Sequence, residues 1–271
     1  MRGAIGSKDF RQVRCRTLRP GGIVLAVASV LVLTLPPTHA ISLTASPPLA
    51  LKPPFTGAQA IADVSFNQTG PCAAANLSSV NSSIQSGRIT SVNTLSVKCP
   101  NSAATLVATT GFLGPGFLVA SSGNYNVSYS LFIGWRDNLA SSGVGSSSVV
   151  LSVVGNLYDN TTGSWVLGSN ASQGNRTVLL TANCSSTSGG SCLVRSSSLG
   201  ADRPIPVLSS FQASLVAGDS YLFYVVQIVS FIVHGGLASN GSVVAGSGFV
   251  HVGATYFGAG HGNFIVSMKV S

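Results

Sequence analysis

The chain is 271 residues long and sets only 14 Lys or Arg and 6 Asp against 45% hydrophobic residues. Disordered chains need low hydrophobicity with high charge, and coiled coils need Glu/Lys-rich heptads, so both classes are excluded. The net charge of +8 is not a polyanion-binding signature either: in residues 1–40 six basic residues face only Asp9, and the remaining eight are scattered among five Asp with no run that could follow a phosphate backbone.

Arg2, Lys8, Arg11, Arg14, Arg16 and Arg19 precede an uncharged apolar stretch, GGIVLAVASVLVLTL at 21–35, and small residues close it at Thr38 and Ala40. This is the layout of a secretory signal peptide over residues 1–40. An uncleaved signal anchor is the alternative, although the apolar stretch is short of the roughly 20 residues that span a bilayer. Residues 41–55 hold Pro47, Pro48, Pro53 and Pro54, and proline at this density predicts an extended spacer. The rest, 56–271, reads as one domain, with a small subdomain over 56–100 as the alternative organisation.

Period-two alternation dominates that domain. Val127, Tyr129, Leu131, Ile133 and Trp135 alternate with Ser128, Ser130, Phe132 and Gly134, and Phe264 to Val270 repeats the pattern. Further strands are expected at 60–67, 88–97, 103–110, 148–158, 164–168, 176–183, 192–197, 210–216, 220–233, 243–257 and 263–270. Gly-, Asn- and Ser-rich clusters separate them as turns. The expected fold is all-β, an antiparallel β-sandwich of jelly-roll type. Tyr221–Ala238 contains no formal charge over 18 residues, yet its β-branched and aromatic content and the turn signal Gly218-Asp219 favour a long strand covered on both faces over a second membrane span. The alternation of Phe211, Ala213 and Leu215 just before that turn outlines a hairpin.

Cys72, Cys99, Cys184 and Cys192 are even in number and lack zinc-ligand spacing, so an exported chain is expected to form two disulfides, paired between nearest neighbours. Cys184 and Cys192 flank SSTSGGS, a loop that would join two antiparallel strands. Nine Asn-x-Ser/Thr sequons, at Asn67, Asn76, Asn81, Asn126, Asn160, Asn170, Asn175, Asn183 and Asn240, compare with about three from chance, and mark candidate glycosylation sites.

Catalytic chemistry is poorly supplied. Asp63, Asp137, Asp159, Asp202 and Asp219 are the only carboxylates after the signal, and Asp159 and Asp219 sit in turn sequences. His234, His251 and His261 could form a three-histidine metal site, but unrelated surface or core histidines are the expected reading, and no GxSxG elbow or nucleotide-binding glycine motif occurs. Neither a catalytic constellation nor a cofactor is expected. The recognition candidates are Trp135, Arg136 and Asp137 with Tyr158 and Trp165, since indole and phenol rings stack on apolar sugar faces while polar neighbours bond hydroxyls. The sequence therefore points to a secreted or cell-surface, non-catalytic protein with an adhesive, surface-structural or carbohydrate-binding role. Its expected partner is a cell-surface glycan or protein, not nucleic acid, and it meets a membrane only if the N-terminal segment is retained. The alternative is a secreted hydrolase with an unconventional site.

Overall fold

A computed structural model describes residues 44–45, 49–51, 57–85, 88–197, 205–236, 238–246 and 265–270, all within the unit Thr38–Ser271. The signal region 1–40, His251, His261, Asp202 and the 247–257 part of one expected strand lie outside the described residues.

Among the described residues the regular structure is β, apart from one 3-10 turn at Ala171–Gln173. In chain order the strands are β1 (Thr44–Ala45), β2 (Leu49–Leu51), β3 (Gln59–Thr69), β4 (Ala75–Ser83) and β5 (Arg88–Val97). There follow β6 (Ala103–Val119), β7 (Gly123–Ser142), β8 (Gly145–Asp159), β9 (Ser164–Trp165) and β10 (Asn175–Ser186). The last are β11 (Ser191–Ser197), β12 (Ile205–Leu215), β13 (Ser220–His234), β14 (Ala238–Gly246) and β15 (Ile265–Val270).

They form two sheets. The first runs β1-β6-β13-β8-β10, with β3 also on β6 and β9 on β8; the second runs β2-β15-β7-β14-β5-β4, with β11 and β12 also on β7. Pairing is antiparallel except for the two-residue β1, which lies parallel to β6. Residues 41–55 thus contribute one short strand to each sheet, with the prolines between and after them. Residues 59–97 likewise serve both sheets.

Alternation explains which sides face. Ile89, Leu95 and Val97 of β5, Val127, Tyr129, Leu131, Ile133, Trp135 and Leu139 of β7, Leu106 and Phe112 of β6, and Val225, Val229 and Phe231 of β13 belong to one buried apolar cluster that draws on both sheets. Each fully buried side chain of this size contributes about 1.5–3 kcal/mol. β13 is central in its sheet, and its even positions Tyr224, Val226 and Ile228 are buried on the opposite face with Val154. The apolar run is therefore a strand as far as His234, covered on both faces over Tyr224–Val229, while Ile232 and His234 are exposed on the outer face. No helix among the described residues is long and apolar enough to cross a membrane.

The expected hairpin over 210–233 does not form. β12 pairs with β7 in the second sheet and β13 with β6 and β8 in the first. The turn between them is an arch from sheet to sheet: Gly218 takes φ +86° and donates to the Val119 carbonyl at 2.9 Å, while the Ala217 N–H donates to Ser122 Oγ at 2.9 Å. Cys184 and Cys192 are joined, as are Cys72 and Cys99. The first of these bridges does not close a hairpin either, because β10 belongs to the first sheet and β11 to the second. It ties the sheets together beside a hydroxyl cluster in which Ser141 Oγ meets Ser186 Oγ at 2.8 Å and Ser239 Oγ at 3.1 Å.

Candidate functional site

The segment 160–174 joins β8 to β10; it pairs back on β8 through β9 and packs Trp165 and Ala171 against the outer face of the first sheet. Its entry is an Asx turn: Asp159 Oδ1 accepts from the N–H groups of Thr161 and Thr162 at 2.9 and 3.1 Å, which satisfies donors that a turn would otherwise orphan. The Thr161 hydroxyl accepts from the Ser220 N–H at 2.9 Å and fixes the turn to the start of β13. Asn156, fully buried, holds the middle of the segment. Its Nδ2 donates to the Leu167 carbonyl at 2.9 Å and its Oδ1 accepts from the Leu167 N–H at 3.1 Å, imitating a strand pairing with one side chain. Near the exit, Gln173 Oε1 accepts from Ser169 N–H and Oγ at 2.7 and 2.9 Å.

These anchors place Trp165 on Tyr158 with ring centroids 5.0 Å apart and on Tyr224 at 5.1 Å, both edge-to-face. Such pairs add about 0.5–1.5 kcal/mol beyond burial. Tyr224 forms the floor, and its desolvation pushes the phenol pKa well above its ordinary value. Trp165 and Tyr158 are half-buried, so each ring leaves part of its surface at solvent. Between Asn160 and Asn175 there is no charged residue. Arg176 follows, but its Nε donates to Ser152 Oγ at 3.0 Å, down the strand from the aromatic pair.

The five recognition candidates therefore separate. Tyr158 and Trp165 meet on the outer face of the first sheet. Trp135 is 8% exposed and Asp137 2% exposed, both within the second sheet and turned to the core, while Arg136 between them is exposed on the other side. Alternation along β7 requires this: a polar Arg-Asp-Asn run next to a tryptophan reads as a strand end, yet β7 continues to Ser142 and carries Asp137 inward, where Ser196 N–H and Oγ bond its Oδ1. Tyr224 was missed among the recognition residues. Its signal was the uninterrupted apolar run of β13, which implies that something must cover the outer face.

Among the described residues the histidine and the carboxylates lie in several places. His234 is exposed at the end of β13 opposite Tyr221, about 40 Å along the strand from Asp159. Asp63 is exposed on β3. Asp159 and Asp219 both lie near Tyr221, whose phenol pKa is raised by burial first and by these two carboxylates after it. No group of three or more His, Cys, Asp or Glu that could hold a metal ion occurs among the described residues.

Of the sequons, Asn67, Asn76, Asn81, Asn126, Asn160, Asn170 and Asn183 are exposed. Asn175 is half-buried, with its Nδ2 donating to the Ser210 carbonyl at 2.8 Å and its Oδ1 accepting from Ser209 Oγ at 2.6 Å. The side chain of Asn240 lies outside the described residues.

No family model and no curated protein matches the chain. Among solved structures, the enzymatically active domain of bacteriophage CBA120 tailspike protein 4 aligns over 67% of this chain and 19% of its own, with 12% identity and a TM-score of 0.21. At that score the likeness carries no argument.

Proposed function

We propose that this chain is an extracellular, non-catalytic β-sandwich that binds a saccharide on the outer face of its first sheet. The observation that carries the reading is the Trp165–Tyr158 pair, half-exposed and held rigid by Asn156 and Asp159 within an uncharged segment rich in amide and hydroxyl groups. Aromatic rings supply the stacking surface for a sugar, and neutral Asn, Ser, Thr and Gln side chains match its hydroxyls without a formal charge to desolvate. An apolar cluster shared by two antiparallel sheets supports the sandwich reading. Two disulfides and seven exposed sequons support secretion and N-glycosylation.

A glycan array probed with the chain and with Trp165→Ala tests the binding reading. Binding to at least one neutral oligosaccharide, lost in the variant by tenfold or more, is expected. Retention of all array signals by a folded Trp165→Ala/Tyr158→Ala double variant would remove the site. Mass spectrometry of the secreted protein reports the mature N-terminus and sequon occupancy together, with a start at Ile41 and an unmodified Asn175 expected.

A further inference from the structure

Between the two sheets the apolar core is interrupted by buried polar side chains. Ser91 and Asn93 on β5, Thr110 on β6 and Gln227 on β13 are each 0% exposed, and Asp137 on β7 is 2% exposed. All occupy inward positions of their strands, in phase with Ile89, Phe112, Leu139 and Val229. Gln227 Nε2 donates to Ser91 Oγ at 2.9 Å, so the sheets meet directly here. Thr110 is the register partner of Gln227 on the first sheet. On the second sheet Asn93, Val243 and Asp137 stand in one row across β5, β14 and β7.

Three atoms in this belt have no protein hydrogen-bond partner: Asn93 Nδ2, Thr110 Oγ1 and Asp137 Oδ2. Their neighbours on the same side chains are satisfied, Asn93 Oδ1 by the Ser78 hydroxyl and Asp137 Oδ1 by Ser196. The three are chemically complementary, one a donor, one an acceptor and one either. They cannot pair among themselves across the second sheet, since two strand spacings put the α-carbons of Asn93 and Asp137 about 10 Å apart. An orphaned buried polar atom costs about 1–3 kcal/mol, whereas a buried water that bonds two to four such atoms removes that cost.

We propose that this belt is an internal hydration site, in which a short chain of ordered waters lies over the Asn93–Val243–Asp137 row and joins Asn93 Nδ2 and Thr110 Oγ1 to Asp137 Oδ2. The amide donor at Asn93 and the single carboxylate oxygen distinguish it from a cation site, which needs converging oxygens. The chain of waters fixes the register of the two sheets, because sliding either strand by one residue turns its belt member outward.

Oxygen-17 magnetic relaxation dispersion on the folded, oxidised protein tests the proposal, with a crystal structure at high resolution as the second measurement. About two waters with residence times longer than a microsecond are expected, hydrogen-bonded to the three named atoms in electron density. Thr110→Val, nearly isosteric, should lose one long-lived water while keeping the circular dichroism of the sheets. Absence of long-lived water in the wild type, direct protein bonds to all three atoms, or a metal ion retained there after dialysis against chelator would each overturn it.

Discussion

Cutting the Cys184–Cys192 bridge should loosen the joint between the two sheets at one end. Cys184→Ala with Cys192→Ser makes the cut, alanine being used at 184 because that side chain is fully buried and a hydroxyl there would add its own cost. The bridged residues are 8 apart in sequence, and closing so short a loop removes unfolded-state entropy equivalent to about 2.6 kcal/mol at 25 °C. For a domain of this size the loss corresponds to a fall in Tm of about 5–10 °C. Cys72–Cys99, with a separation of 27, gives about 3.6 kcal/mol by the same relation. The location of the effect is more diagnostic than its size. Because β10 and β11 sit in different sheets, hydrogen exchange should accelerate on both sides of the joint, at 184–186 of β10 and at 139–142 of β7, and remain slow near Tyr221 at the far end. Faster exchange confined to 184–192, with 139–142 unchanged, would refute the reasoning, since a bridge within a local hairpin behaves in that way.

Trp135→Ala should cost about 3–5 kcal/mol in urea unfolding, as expected for an aromatic removed from a packed core, whereas Trp165→Ala should cost clearly less and act on binding. Gly155→Ala should destabilise by about 1–3 kcal/mol, because an added Cβ would sit 2.8 Å from Cδ1 of Tyr129 and closer to its Cε1; the same denaturation assay reads it. Tyr129, Tyr221 and Tyr224 all have phenol pKa values raised by burial, so the unfolded chain loses these protons first as pH rises. Stability is then fully present below about pH 10 and declines above it, which alkaline absorbance titration of folded protein and unfolding midpoints between pH 9 and 11 would show.

Strand existence was largely legible, because one buried face leaves a period of two: β5 spans 88–97 as read, and β13 begins and ends within a residue of its expected limits. Strand extent was less so. β7 runs to Ser142 through Arg136, Asp137 and Asn138, whose polarity conceals that the inward member is bonded by Ser196. β4, with the sequence ANLSSVNSS, carries little strand signal, since Val80 is its one side chain packed on the apolar cluster and ladder bonds to β5 hold the rest. Sheet membership was not legible, because the turn residues at 187–190 and 216–219 specify a reversal but not whether the chain comes back beside itself or crosses to the facing sheet. The same gap divided the recognition residues: local polarity cannot tell whether Trp135 or Trp165 faces outward, and only the register of the strands decides.

The 20-residue β7 carries a consequence for how this protein assembles in time. One of its edges is completed by β11 and β12 and the other by β14 and β15, and all four follow it in the chain. Its ladder partners begin at Ser191 and end at Val270, so at about 5–20 residues per second both edges stay open for on the order of ten seconds of synthesis. An unpaired strand that long is a template for other chains. Folding after the whole chain is available, with the sheet closing around β7 from both sides, avoids that hazard.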